Sequence, residues 1–117
     1  MIRTKQYKYI LNLEPDTTFT THITGSPQKS VHYLPFWKTW KKEAETDERA
    51  YQIVNKYLHR PLEELYDLHA DPFEMHNLVN DPEYYDLLGS LKEQLSQWRK
   101  AQGDTISVNG YYNYQVN

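Results

Sequence analysis

The sequence has no cysteine among its 117 residues. This absence excludes disulfide bonds, thiolate metal sites and cysteine nucleophiles, and it leaves the compartment open. There is also no apolar run of about 18 residues, the length that a transmembrane helix needs. Met1–Thr4 does not begin a signal peptide, although that says nothing about a longer protein of which the chain is a piece. The sequence does not decide whether Met1 is a native start or an internal methionine.

The chain has no large excess of charge of either sign, and its aliphatic side chains are few. The net charge is −3, and the 13 basic and 16 acidic residues are mixed along the chain. Nucleic-acid binding is therefore not expected, because it needs a concentrated basic surface. Aromatic residues, in contrast, make up 15% of the chain, with 11 Tyr and 3 Trp. The sequence predicts one small domain with a core rich in Tyr and Trp, and the remaining aromatic surface faces a partner, a ligand or water.

The first part of the chain has the pattern of β-strands. Residues 2–13 are dominated by β-branched and aromatic types, and apolar and polar residues alternate from Tyr7 to Leu13. A tight turn at Thr4–Gln6 would divide them into strands Ile2–Thr4 and Tyr7–Leu13; the alternative is one bent strand. Residues 14–34 contain Pro, Gly, Thr and Ser without a persistent period, which predicts a long loop.

An insert at residues 35–60 has the pattern of two helices. Trp37 and Trp40 fall on one face of the first helix, and either Thr46 or Asp47 caps the second. The apolar stripe of the second helix consists of Ala50, Ile53, Val54, Tyr57 and Leu58. These spacings predict a helical pair that ends at Arg60, because the residue before a proline is pushed out of the α region.

The strongest helical pattern spans residues 81–102. Asp81 is a favourable N-cap, Pro82 suits the first helical position, and Gly103 is placed to adopt the left-handed conformation after the helix. The apolar stripe consists of Tyr84, Leu87, Leu88, Leu91, Leu95 and Trp98. We expect this stripe, Trp98 included, to pack on a sheet that contains a strand at residues 62–68. The tail, residues 105–117, is either a further strand or disordered.

Three motifs resemble one enzyme family. Residues 64–78, ELYDLHADPFEMHNL, are similar to the ELYDL-x-x-DP-x-E-x-x-NL signature near the end of sulfatases of the alkaline-phosphatase-like superfamily. Residues 2–10, IRTKQYKYI, resemble the VRT-x-x-YKYI segment of the same subdomain, and an Asp-Pro-opened helix ending QWRKAQGD follows. The insert of about 50 residues between the strands resembles the subgroup of heparan N-sulfatases (N-sulfoglucosamine sulfohydrolases).

The resemblance implies an α+β fold for residues 1–104: a small antiparallel β-sheet packed against a long C-terminal helix, with a long loop and a helical insert between the strands. It implies a parent enzyme that hydrolyses a sulfate ester or sulfamate on a glycan, using formylglycine and calcium, and that is secreted, periplasmic or lysosomal. The partner of this chain would be the catalytic domain of the same polypeptide. The alternative is a free-standing carbohydrate-binding or protein-interaction module.

No catalytic or cofactor-binding residue can be identified in the chain itself. No serine has Pro at the second and Arg at the fourth following position, the context that matures to formylglycine, and G-x-S-x-G is absent. Glu63 and Glu64 are neighbours on a predicted strand, so their side chains point to opposite faces and cannot act on one substrate together. The isolated chain is therefore expected to be inactive.

The polar residues around the Asp-Pro turn have two interpretations. His69 and His76 flank the turn together with Asp71 and Glu74, so a metal site is conceivable. Surface polar residues of a tight turn are the favoured interpretation, since Asp71, Glu74 and Asn77 match the family signature while the two histidines occupy its variable positions. Asp and Asn at such positions bond nearby backbone amides.

The two tryptophans of the insert have two interpretations as well. Trp37 and Trp40 either pack the insert against its neighbours, which is favoured, or form a platform on which a sugar ring stacks. Together with His32 they are the candidates for a pocket rim or an inter-domain contact. We also expect the isolated chain to self-associate, either at the edge of strand Ile2–Thr4 or across Trp37 and Trp40.

Overall fold

The protein is represented by a computed structural model that describes residues 1–19, 21 and 35–108. The chain divides into two compact units, one made of Met1–Pro15 with Pro61–Asn117 and the other of Asp16–Arg60. The elements in chain order are β1 (Ile2–Arg3), β2 (Tyr7–Leu11), α1 (Pro35–Glu43), α2 (Glu48–Leu58), β3 (Glu63–Asp67), a short 3₁₀ helix (Pro82–Tyr84) and α3 (Tyr85–Ala101). None of the described helices is both long enough and apolar enough to cross a membrane.

The three strands form one antiparallel sheet in the order β1-β2-β3. Tyr9 is the central position of the register, because it faces Ile2 on one side and Leu65 on the other. The N–H of Thr4 donates to the carbonyl of Tyr7 at 2.8 Å and closes the turn between β1 and β2. The predicted hairpin is confirmed, and its strands are shorter than the pattern suggested.

Helix α3 packs on one face of the sheet through a leucine stripe. Leu88, Leu91 and Leu95 are buried and, together with Tyr9 and Leu65, form the core of this unit. Leu91 is 2% exposed and Leu95 is 4% exposed. This confirms the predicted α+β architecture, in which the helix buries one stripe against the sheet.

Both ends of α3 follow from their sequence. Oδ1 of Asp81 accepts the N–H of Glu83 at 3.0 Å, and Pro82 follows at once. The first turn, Pro82–Tyr84, is a 3₁₀ helix rather than the α-helix that the pattern predicted. Gly103 has a φ of 70°, the left-handed conformation that glycine adopts without a Cβ penalty. The helix therefore begins and ends close to its predicted bounds.

The predicted burial of the stripe is wrong for one residue, Trp98. Trp98 is 59% exposed, although the spacing assigned it to the packed face. It lies beside Ile2 of β1, at the border of the sheet, where no described strand continues beneath the helix. A helical position predicts burial only where the opposing layer extends beneath it, and the strands that the structure describes do not extend beneath Trp98.

The second unit contains the α1–α2 pair. Oδ1 of Asp47 accepts the N–H of Ala50 at 2.7 Å, so Asp47 rather than Thr46 caps α2. Trp37 is 2% exposed and packs against Tyr57 with ring centroids 5.5 Å apart. The predicted loop is described only in part, and within the tail, residues 109–117 lie outside the described residues.

Candidate functional site

The Asp-Pro turn is built on the carboxylate of Asp71. Oδ1 of Asp71 accepts the N–H of Met75 at 3.0 Å, and Oδ2 accepts the N–H of His76 at 2.8 Å. The N–H of Glu74 donates to the carbonyl of Asp71 at 3.1 Å. Each carboxylate oxygen thus satisfies a backbone donor of the loop, which is the way an aspartate stabilises a turn.

Glu74 adopts a conformation that is uncommon for a residue with a side chain. Its φ is 55°, in the left-handed region. Oε1 of Glu74 accepts a hydrogen bond from Nζ of Lys8 at 2.6 Å, and this ion pair links the turn to strand β2. Glycine would adopt this φ with less strain. The ion pair with Lys8 explains why a glutamate stands at position 74 instead.

Asn77 covers the outer edge of β3. Its Oδ1 accepts the N–H groups of Leu65 at 2.9 Å and of Val79 at 3.1 Å, and its Nδ2 donates to the carbonyl of Glu63 at 3.0 Å. The N–H of Leu78 donates to the carbonyl of Leu65 at 2.8 Å. One amide side chain and one backbone amide therefore take the place of a neighbouring strand on this side of the sheet.

The histidines do not assemble with these residues into a metal site. Among residues 1–19, 21 and 35–108, no three His, Asp or Glu side chains lie close enough to hold a metal ion. His69 and His76 are exposed. His32, a candidate for the pocket rim, lies outside the described residues. Asp71 and the backbone around it form a hydrogen-bonded turn.

Glu63 and Glu64 face opposite sides of the sheet. Oε1 of Glu63 accepts a hydrogen bond from the hydroxyl of Tyr9 at 2.7 Å and pairs with Nζ of Lys92 on α3 at 2.7 Å. Glu64 is buried on the other face, where its Oε1 accepts the hydroxyl of Tyr66 at 2.6 Å. The expected separation of the two carboxylates is confirmed, so they cannot act as an acid–base pair.

The environment of Glu63 shifts two pKa values in opposite directions. Burial, reinforced by the hydrogen bond to the Glu63 carboxylate, raises the pKa of the Tyr9 hydroxyl. For Glu63, burial would raise the pKa, but the hydrogen bonds from Lys92 and Tyr9 outweigh it and leave the pKa lowered. The Glu63 carboxylate therefore stays charged and bonded to two donors. This arrangement stabilises the fold and does not suit Glu63 to act as a catalytic base.

The sequence did not reveal the Tyr9–Glu63–Lys92 network or the groove that it borders. The groove, of about 710 Å³, lies between the start of β3 and α3 and is also lined by Leu11, Leu62 and Arg99. Tyr9, Glu63 and Lys92 lie 29 or more positions apart in the sequence, so no local spacing marks the network. Only the register of the sheet, with Leu11 opposite Glu63, brings them together.

Trp37 and Trp40 differ although they share a helical face. Trp37 is buried, whereas Trp40 is 47% exposed and makes an edge-to-face contact with Phe36, which is 45% exposed. Trp40 also lines a small apolar cleft with Ile53 and Val54 of α2. Of the two tryptophans, only Trp40 presents a ring that a ligand or another protein surface can reach.

Comparison with known proteins connects this geometry to a family. The family model for the C-terminal domain of N-sulphoglucosamine sulphohydrolase matches residues 26–101, more than half of the chain. An ulvan-active sulfatase from Formosa agariphila is 38% identical over 109 residues, which are 93% of this chain and 18% of the relative. A second ulvan-active sulfatase from the same organism is 33% identical over 107 residues, 92% of this chain and 17% of the relative.

Human N-sulphoglucosamine sulphohydrolase is 41% identical over 49 residues, which are 42% of this chain and 10% of that protein. The chain thus spans less than a fifth of the length of the curated relatives it matches. The small antiparallel sheet, its covering C-terminal helix and the Asp-Pro turn are the parts that the resemblance implied. On the strength of the family match and the two relatives covering nine tenths of the sequence, the chain belongs to the family of C-terminal domains of N-sulphoglucosamine sulphohydrolase.

Proposed function

We propose that this chain is the non-catalytic C-terminal subdomain of a sulfatase that removes sulfate from a sulfated glycan, and that it buttresses the catalytic domain. The observation that carries the proposal is the family match over residues 26–101, together with relatives whose matched part is less than a fifth of their length. The names of those relatives, ulvan-active sulfatase and N-sulphoglucosamine sulphohydrolase, support a sulfated glycan as the substrate class.

The chemistry of the chain supports a non-catalytic role. Sulfatases of this kind generally use formylglycine and a divalent cation, usually calcium, and the sequence has neither a Cys nor a Ser in the context that forms formylglycine. The polar side chains that the structure gathers around the Asp-Pro turn, Asp71, Glu74 and Asn77, bond backbone groups or a lysine. We therefore assign these three residues a structural role and the catalytic groups to the rest of the parent enzyme.

Two residues are our proposals for the contact with the catalytic domain or the pocket rim. Trp40 presents an exposed ring beside Phe36, and aromatic side chains that are partly exposed are enriched at interfaces and can stack on sugar rings. His32 is the second group, proposed from the sequence alone. Trp37, the third candidate from the sequence, is not included in this proposal, because its side chain is buried.

A chimaera tests the buttressing role. The Formosa agariphila sulfatase that is 38% identical would be compared in three forms: intact, without the matched region, and with this chain in place of that region. We expect the truncated form to lose thermal stability and turnover of ulvan, and the chimaera to regain a large part of both. A truncated form that is as stable and as active as the intact enzyme would contradict the proposal and favour a free-standing module.

A second assay tests the absence of catalysis. The purified chain should show no turnover of 4-methylumbelliferyl sulfate or of sulfated saccharides, with or without added calcium. The intact relative, prepared and assayed in parallel, is the positive control. Calcium-dependent turnover that remains with the chain through successive purification steps would overturn the assignment.

A further inference from the structure

Three lysines of α1 have no carboxylate partner. Lys38, Lys41 and Lys42 are exposed, and none of them forms an ion pair with a residue in the described part of the chain. Lys41 and Lys42 lie in the last turn, where the helix dipole favours cations. Lys38 lies before that turn, and two like charges four positions apart, as in Lys38 and Lys42, destabilise a helix. The dipole alone therefore does not explain this cluster.

The charge of α1 differs from that of the whole chain. The helix Pro35–Glu43 contains three lysines and one glutamate, which gives it a net charge of +2, whereas the whole chain has a net charge of −3. Further carboxylates follow in the turn and at the start of α2, at Glu45, Asp47 and Glu48. None of these described carboxylates bonds to a lysine of α1. The positive charge is therefore local and available to an anionic ligand.

Two exposed aromatic rings lie on the same helix, and their neighbours hold them in place. The ring centroids of Phe36 and Trp40 are 6.1 Å apart, and those of Trp40 and Trp37 are 6.4 Å apart. Trp37 is buried and packs in turn on Tyr57 of α2. Trp40 thus continues a row of aromatic contacts that begins at a buried ring. A ligand that stacks on Trp40 has little side-chain freedom to remove, so the ring is prepared for binding.

The lysines and the rings occupy different flanks of one exposed surface. With 3.6 residues per turn, Lys38 and Lys42 fall on one flank of the helix, and Phe36 and Trp40 fall on the other. A helix with its side chains is about 10–12 Å across. A ligand that contacts both flanks must therefore be extended, with anionic groups on one part and a flat apolar face on another. A sulfated oligosaccharide has both, because its sulfate groups are anionic and the C–H face of a sugar ring stacks on aromatic rings.

We propose that α1 binds a sulfated glycan chain through what we call the α1 surface, which consists of Phe36, Lys38, Trp40, Lys41 and Lys42. The lysines pair with sulfate groups, and Trp40 stacks on a sugar ring. The class of ligand rests on the proposed function, since the names of the relatives supply it. The α1 surface provides affinity for the polymer, and none of its groups is assigned a part in bond cleavage.

Two pairs of lysines test the surface at equal change of charge. Lys38→Gln combined with Lys42→Gln removes two charges from the α1 surface. Lys5→Gln combined with Lys100→Gln removes two charges from exposed lysines of the other unit. Isothermal titration calorimetry measures the binding of size-defined heparin and ulvan oligosaccharides to the isolated chain. The same oligosaccharides after chemical desulfation are the ligand control, and thermal melting checks that each variant is folded.

The α1 pair should bind sulfated oligosaccharides at least about tenfold more weakly than the wild type, because a lysine beside an anionic surface contributes about a fivefold change in affinity. The control pair should bind within about twofold of the wild type. Added salt should weaken binding, since it screens exposed charges. Trp40→Ala should also weaken binding, whereas Trp40→Phe, which keeps a ring, should retain most of the affinity.

The chimaera with the Formosa agariphila catalytic region gives a second readout. There the α1 pair should raise KM for ulvan more than it raises KM for 4-methylumbelliferyl sulfate, because that small ester lacks the further sulfated sugar units that the α1 surface binds. The control pair should change both KM values equally. An equal change of both KM values by the α1 pair would contradict the inference.

The failures of the two proposals are distinguishable. Equal weakening by the two lysine pairs, or equal affinity for the desulfated oligosaccharides, would overturn the α1 surface as a sulfated-glycan site. Equal affinity for a single-stranded oligonucleotide would overturn it as well. A chimaera that regains stability with a chain that binds no glycan would leave the proposed function standing and refute this inference. Glycan binding by the chain, together with a chimaera that regains nothing, would support the α1 surface and refute the buttressing role.

Discussion

Oδ1 of Asn77 accepts the backbone N–H of Leu65 from a distance of 2.9 Å, and Leu65 is completely buried. The side chain of Asn77, 12 residues away in the sequence, thus gives the buried N–H of Leu65 a hydrogen-bond acceptor. The Asn of the DP-x-E-x-x-NL motif is explained by this contact. It determines where the sheet ends.

The first prediction follows from that contact. Asn77→Ala should lower the free energy of unfolding by about 1–3 kcal/mol, because the buried N–H of Leu65 loses its acceptor. Asn77→Asp keeps an acceptor and should cost less, and His76→Ala, at an exposed neighbouring side chain, is the control. Urea denaturation followed by circular dichroism measures the three differences. Equal stability of the alanine and aspartate variants would show that the acceptor does not matter.

The second prediction concerns the leucine stripe of α3. Leu91→Ala should destabilise the protein by about 2–5 kcal/mol, because Leu91 is buried in the core and truncation leaves a cavity. Lys100→Ala on the exposed face of the same helix should stay within about 0.5 kcal/mol of the wild type. Chemical denaturation measures both. A small loss for Leu91→Ala, equal to that of the surface variant, would show that Leu91 is not packed in the core.

The third prediction separates the two tryptophans of α1. Trp37→Ala should cost about 3–5 kcal/mol of stability in its unit, because the buried ring packs on Tyr57. Trp40→Ala removes a half-exposed ring and should cost much less. If Trp40 contacts the pocket rim or the catalytic domain, Trp40→Ala should reduce the turnover of ulvan by the chimaera more than Trp37→Ala does. The two variants are compared at matched amounts of folded protein. Binding and turnover unchanged by Trp40→Ala would refute the role proposed for it.

The fourth prediction is an acid dependence of stability. Hydrogen bonds from the guanidinium of Arg99 and the backbone of Ile106 lower the pKa of Asp104, and the pKa of Glu63 is lowered as well. For Asp67, burial opposes the hydrogen bonds from Gln6 and the turn backbone, and the pKa is still lowered. A folded-state pKa below the unfolded value means that the unfolded chain binds more protons on acidification.

The contribution of these carboxylates is therefore fully present above the ordinary values of 4.5 for Glu63 and 3.8 for the two aspartates. It is lost as the pH falls through the lowered values. Denaturation midpoints measured from pH 6 to pH 3 should decrease toward acid, and Glu63→Gln should make the decrease shallower. A midpoint that stays constant or rises over this range would show that the sign is wrong.

Much of the local structure was predictable because it depends on neighbours in the sequence. Asp81 caps the first turn of its helix, Asp47 caps α2, and Gly103 adopts the left-handed conformation, each through bonds within a few residues. The hairpin between β1 and β2 likewise follows from a turn of adjacent residues. These features are decided by short-range chemistry, so the sequence contains the whole of their explanation.

What the sequence could not give is the width of the sheet and the partners of its charged groups. Trp98 has the spacing of a core residue and is exposed, because burial depends on whether a strand lies beneath it. Glu63 meets Lys92 and Tyr9 only through the register of β3 on β2 and the position of α3 above them. Neither the exposure of Trp98 nor the partners of Glu63 can be inferred from the residues next to them in the sequence.

By itself, then, the sequence determined the types of the elements, their caps and the family motifs. It also determined the absence of a nucleophile context, since all of these depend on which residues stand next to each other. Only the tertiary structure decided that Asn77 closes one edge of the sheet, and that Trp37 is buried while Trp40 is exposed. The physical reason is that burial and edge pairing depend on surfaces brought together from distant parts of the chain.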